Sequence, residues 1–210
     1  MGASIFPERD NGHDFSILTP FNAMLDVDVF TARIQKEEAA QKKKQMTFQL
    51  FAEWISLRPK DVFVGYVSAI VMRIDLAGLY KKGELFCAPC ACGNVVFGNV
   101  STGRCFSPSH EENDMALRVN PQVLAEVSDE TAGFTSGHNL LVGQKAWEKL
   151  FGRNAELFQN KLTAPEGTSS EAERLIRHWE QRLLYLRLTF VMGWSGSWGG
   201  GRIVVLDLLD

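Results

Sequence analysis

The thirteen residues Val62–Ile74, VFVGYVSAIVMRI, constrain the fold of this chain more than any other stretch. β-Branched and aromatic side chains dominate them, which favours an extended backbone over a helix. One glycine, Gly65, sits inside the run. A glycine within a strand marks a bulge or a sharp bend, the device by which a strand turns the corner of a barrel.

Downstream, Asp75–Gly83 reads as a turn, Asn94–Pro108 as a loop or small subdomain rich in turn residues, and Met115–Val119 as a short strand. Val142–Phe151 sets Ala146, Trp147, Leu150 and Phe151 at the spacing of one buried helix face. After a Pro/Gly/Ser-rich loop at Thr163–Ser170, Glu171–Arg182 reads as a helix that passes into a strand, Leu183–Val191. A glycine-rich turn, Gly193–Gly201, leads to a last strand, Ile203–Leu208, antiparallel to the one before it. Upstream, residues 1–20 are polar and turn-rich and predict poor order. Residues 21–57 read as a helical and apolar lead-in. Within it Ala32–Gln45 consists of strong helix formers, and Phe48, Leu50, Phe51, Trp54 and Ile55 form an apolar patch suited to packing. The sum is a mainly β fold with helices (α+β). It is an OB-type five-stranded barrel over residues 58–210, with a helix between strands 3 and 4 and a cysteine-bearing, zinc-ribbon-like insertion at about 87–113.

The 210 residues are 45% hydrophobic and 22% charged, enough apolar material for a core. A net charge of −3 excludes a histone-like polycation, so a nucleic-acid binder of this composition must gather its Lys and Arg on one face. The chain has no Gly-x-Ser-x-Gly, no P-loop and no Gly-x-Gly-x-x-Gly after a strand, and its four histidines are scattered. These absences argue for a binding module rather than an enzyme. The longest apolar runs fall short of the roughly 20 residues of a membrane span. Met1–Leu18 lacks a basic start followed by an apolar stretch, so reduced thiols in the cytosol or nucleus are expected.

Four cysteines, Cys87, Cys90, Cys92 and Cys105, fall within nineteen positions. Cys87-x-x-Cys90 is the half-site of a zinc ribbon, because two thiolates on one tight turn can share a tetrahedral ion. Cys105 and His110 would complete a Cys3His set, with Cys92 as the alternative ligand. The plainer alternatives are buried small residues, or a ribbon without its metal. A redox pair is disfavoured, because such a motif opens a helix and here a turn follows.

Trp194-Ser-Gly-Ser-Trp198-Gly-Gly-Gly-Arg202 joins the last two strands, a position that grips oligonucleotides on OB barrels. Trp194 and Trp198 would stack on bases, and Arg202 would meet phosphate or an aromatic face. Equally, Trp194 could cap the barrel and Trp198 sit in a subunit interface. Arg73, Lys81, Lys82 and Arg104 lie on segments expected near the same opening.

The succession of AGLYKKGELFCAPC, a further Cys, ALRV, LFGRNAELF and a terminal VVLDLLD, spanning Val62 to Asp210, resembles two related families. One is the zinc-bearing OB domain of the replication protein A large subunit. The other, which fits better, is the C-terminal OB domain of shieldin complex subunit 2. This second resemblance implies a non-catalytic nuclear module of double-strand break repair. Such a module binds single-stranded DNA, a small shieldin subunit or another repair protein, and favours non-homologous end joining. The first implies a single-stranded DNA-binding protein of replication or meiotic recombination. A pure protein-assembly module remains the third possibility.

Overall fold

The architecture is that of a computed structural model. It describes residues 31, 44–57, 62–107, 114–135, 140–151, 160, 169–195 and 203–209. In chain order its elements are β1 (Lys44–Met46), α1 (Phe48–Leu57), β2 (Val62–Ile74), α2 (Leu76–Lys82), β3 (Phe86–Pro89), β4 (Val95–Gly98), β5 (Thr102–Arg104), β6 (Asp114–Ala116) and β7 (Arg118–Val119). β8 (Leu124–Ser128), β9 (Gly133–Thr135), β10 (Leu140–Val142), α3 (Gln144–Phe151), α4 (Ser169–Leu183), β11 (Arg187–Ser195) and β12 (Ile203–Leu209) follow.

β2 organises the main sheet. Its residues 62–70 pair antiparallel with β11, residues 70–74 pair antiparallel with β8, and Gly65–Val67 also carry β1 in parallel. The sheet order is β10-β12-β11-β2-β8-β9. β10 runs parallel to β12, and β9 runs antiparallel to β8. The two ends of this path, β9 and β10, are consecutive in the chain. The Val142 N–H also donates to the Pro121 carbonyl ahead of β8, at 2.8 Å, so the sheet curls back on itself. With β9 and β10 together as the third strand, the order is that of an OB barrel: a long first strand paired to the second and fourth, and third and fifth strands parallel. The helices α3 and α4 fall between the third and fourth strands, as expected.

Close packing explains Gly65. A Cβ there would lie 2.4 Å from the Phe63 ring, so no larger residue fits without moving it. Phe63 belongs to an aromatic plug. Phe51 and Trp54 of α1 pack on Phe63 with ring centroids 5.2 and 4.8 Å away, and Phe48 stacks on Phe134 at 6.1 Å. α1 therefore closes one end of the barrel, and its Phe48 and Phe51 share a core with Val67 and Phe190. Trp147 and Phe151 of α3 and Trp179 of α4 close the other end. A smaller cluster of Leu141, Val191, Val204 and Leu206 lies on the outer side of β10, β12 and β11, with Val64 and Tyr66 against it.

Three expectations change. Asp75–Gly83 is a helix, α2, ended by Gly83 in the left-handed region (φ 74°), and not a turn. Lys44 and Gln45 form the edge strand β1 rather than helix, because pairing with β2 overrides their helix propensity. The second barrel strand is β8, while Met115–Val119 divides into β6 and β7, which belong to the insertion. The expected disorder at 1–20 and the helix at 32–43 lie outside the described residues.

The turn after β8 anchors α1. Asp129 Oδ2 accepts the Phe48 N–H at 2.6 Å, and its Oδ1 accepts the N–H groups of Thr131 and Ala132 and the Thr131 hydroxyl. Burial raises the Asp129 pKa, but the Thr131 hydroxyl and these backbone donors outweigh it and hold the carboxyl below its ordinary value. A group with a depressed folded pKa stabilises at neutral pH and loses that contribution as pH falls through the depressed value. Asp129→Ala should therefore cost about 1 kcal/mol in urea unfolding at neutral pH, with the deficit shrinking in acid.

Candidate metal centre and nucleic-acid interface

The insertion between β2 and β8 is built from two small sheets, β4-β3-β7 and β5-β6. Its stem is tied by the Asp75 N–H to the Val123 carbonyl and by the buried Asn120. The Asn120 amide donates to the Glu84 carbonyl at 3.0 Å, and its side-chain oxygen accepts the Gln122 N–H. β3 and β4 form a hairpin whose tip is Cys90-Ala91-Cys92-Gly93-Asn94. There the Cys90 N–H donates to the Asn94 carbonyl and the Gly93 N–H to the Cys90 carbonyl. Gly93 takes φ 87°, a backbone that side chains resist and that turns the tip tightly.

This tip and the start of the loop after β5 bring Cys90, Cys92 and Cys105 together, their sulfurs all within 4.8 Å of one another. Cys92 Sγ and Cys105 Sγ are 3.6 Å apart. Tetrahedral thiolates at ~2.3 Å from an ion stand ~3.8 Å from each other, so the donor set fits a thiophilic metal. At Cys105 a hydrogen bond from the Ser107 backbone favours the thiolate, yet burial and the neighbouring Cys92 and Cys90 leave its pKa above the ordinary thiol value. Thiolates this close repel one another, and a dication between them would remove that penalty.

The expected Cys87-x-x-Cys90 half-site is not the one the fold assembles. Cys87 lies within β3, paired with Phe97 and Arg118, and is not one of the three gathered sulfurs. Burial, only partly opposed by Arg118, pushes its thiol up to about 12. Strand alternation puts Cys87 on the face of β3 opposite Phe86 and Ala88, buried but away from the three sulfurs, while the hairpin tip presents Cys90 and Cys92. The glycine after Cys92 was the available signal. His110 lies outside the described residues.

On the barrel, Trp194 is not an open platform. β11 continues through Ser195, and Phe190, Met192 and Trp194 alternate inward, leaving Trp194 2% exposed with its ring 6.5 Å from Trp54. Trp198 and Arg202 lie outside the described residues. Arg73 stands exposed on β2, where the ladder to β8 slips between Val71 and Arg73, and its partner across the strands is Glu126. Lys81 and Lys82 are exposed in the last turn of α2, where they suit the helix dipole. Arg104 is committed to Asp114 across the β5–β6 hairpin. The structure therefore leaves Arg73 on the barrel wall and places the other cations on the insertion.

No family model and no curated protein matches the chain. A solved structure of a replication protein A heterotrimer bound to ssDNA superposes over 87% of this chain with a TM-score of 0.47 at 14% identity. The chain spans 43% of that one, less than half. A likeness of that size carries no argument, and the barrel assignment rests on the strand pairing. Among the described residues no helix is long and apolar enough to cross a membrane.

Cobalt(II) reports directly on the donor set. The full chain should develop the sulfur-to-metal charge-transfer band of a thiolate site, and Cys92→Ser or Cys105→Ser should weaken or abolish it. Cys87→Ser should retain it.

Proposed function

We propose that the chain is a non-catalytic, single-stranded DNA-binding barrel whose insertion is stiffened by a structural zinc ion. The observation that carries this reading is the barrel itself. Its first-to-second-strand connection is the cysteine insertion, and Trp198 and Arg202 fall in the sequence between its fourth and fifth strands, the two connections that flank the ligand face of such folds. Arg73 stands exposed on the first strand, at the end that leads into the insertion. Zinc would be held by Cys90, Cys92 and Cys105, with His110 the fourth ligand by sequence spacing. It would supply cross-linking of two hairpins rather than chemistry. Trp198 would offer a base-stacking face and Arg202 a phosphate contact.

The narrower reading is a shieldin-type nuclear role, in which the barrel joins a small partner subunit at broken DNA ends. Its support is the motif order from Val62 to Asp210 together with Phe106, which stands 82% exposed beside Cys105 as a ready apolar contact. Co-expression with the partner should then require Phe106.

Titration of the chain with labelled oligo-dT tests the broader proposal. Binding should show little base preference and weaken with salt. The log–log slope should be about −2 to −3, as for ~3 to 4 neutralised phosphates at ~0.7 each. Trp198→Ala should reduce affinity about tenfold. Salt-insensitive binding, or none, would rule the proposal out.

A further inference from the structure

Among the described residues Tyr185 is the one non-glycine with positive φ, at 64°. L-residues avoid this backbone, and a bulky aromatic is strained there and holds it only where its surroundings enforce it. They do. The Tyr185 N–H donates to the Val71 carbonyl at 2.8 Å, the Val71 N–H to the Leu186 carbonyl at 3.0 Å, and the Leu184 N–H to the Glu180 carbonyl. The turn from α4 into β11 is thereby stitched onto β2. Yet the ring gains no burial in return, for Tyr185 is 72% exposed. Strained backbone clusters at functional sites, and here it holds an aromatic ring out into solvent.

The neighbourhood has the composition of a nucleobase platform. The ladder slip in β2 leaves both Met72 and Arg73 exposed, next to the Val71 that clamps Tyr185. Leu186 is exposed on the other side. The cations are Arg73, Arg182, whose guanidinium lies over the Trp179 ring, and Arg187, paired with Glu130 at 3.3 Å. Glu126, opposite Arg73, and Glu130 are the acidic members. An apolar strip framed by arginines offers one surface to a base and another to its phosphate. Arg73 is exposed and makes no ion pair among the described residues, which leaves it able to meet phosphate.

We propose that Tyr185 is a base-stacking platform on the seam of β2 and β11, with Met72 beside it and Arg73 on the adjoining phosphate. This rests on the single-stranded DNA reading above and extends the ligand face beyond the two flanking loops to the junction that precedes the fourth barrel strand.

The test uses the full chain and oligo-dT of about 16 nucleotides, the upper end of what one such barrel covers. Tyr185→Ala should weaken binding about tenfold and Tyr185→Phe should restore it, since stacking needs the ring and not the hydroxyl. Tyr185→Gly should lose binding equally while melting at or above the wild-type temperature, because glycine adopts this φ without strain. Oligonucleotide carrying 5-iododeoxyuridine should cross-link, in the unaltered chain, to the peptide that contains Tyr185. If the unaltered chain binds but all Tyr185 variants bind like it, or if the cross-link maps elsewhere, the platform is wrong and the barrel reading stands. If the unaltered chain does not bind oligo-dT, both fall.

Discussion

Everything in this molecule depends on one strand being able to bend. β2 pairs with β11 along its first part and with β8 along its second, so it belongs to both sides of the barrel. The ladder slip at Met72 permits this by redirecting the strand toward β8, while Gly65 leaves room for the Phe63 ring, around which the aromatic residues of α1 assemble. The same slip that bends the strand exposes Met72 and Arg73, so the fold's main structural compromise also furnishes its candidate ligand wall.

The insertion obeys a different economy. β5 and β6 are three residues each, and β7 is two, too little sheet to stand alone. Part of its stability comes from the barrel core, which continues into Phe86, Ala88, Val96 and Leu117. The hairpin tip and the Cys105 loop lie at the margin of that core, with Cys90 and Cys105 buried in it and Cys92 against it, and there three sulfurs converge. Binding energy at such a site is folding energy for the segments it joins. The proposed metal therefore concerns the shape of the insertion, and the proposed ligand concerns the barrel wall.

Much of this was legible in the residues, for identifiable reasons. The strand Val62–Ile74, the amphipathic helix at Ala146–Phe151 and the closing antiparallel pair carry strong local patterns, and tertiary structure agrees with them, although the ladder of β2 slips at 71–74 and not at Gly65. β8 went unread because LAEVS lacks the β-branched density of Val62–Ile74, and β1 because Lys and Gln are helix formers that cross-strand pairing overrules. Trp194 reads as part of a turn because the strand pattern ends at Val191, whereas β11 runs four residues further, to Ser195. Cys87 illustrates the reverse. A spacing motif counts residues along the chain, but whether a side chain faces the core or the hairpin tip depends on where the strand ends. Tyr185 had no signal at all, because left-handed backbone at a tyrosine is imposed by hydrogen bonds to β2, distant in sequence.

Hydrogen–deuterium exchange of the full chain, with and without oligo-dT, tests the central claim most directly, because it maps the ligand onto the barrel without altering any residue. Binding should slow exchange in the 70–74 portion of β2, in β8 and across 184–187, and should leave α1 unchanged. Protection confined to the insertion or to the outer side of β10 and β12, or no protection at all under conditions that saturate binding, would contradict a ligand face on this wall.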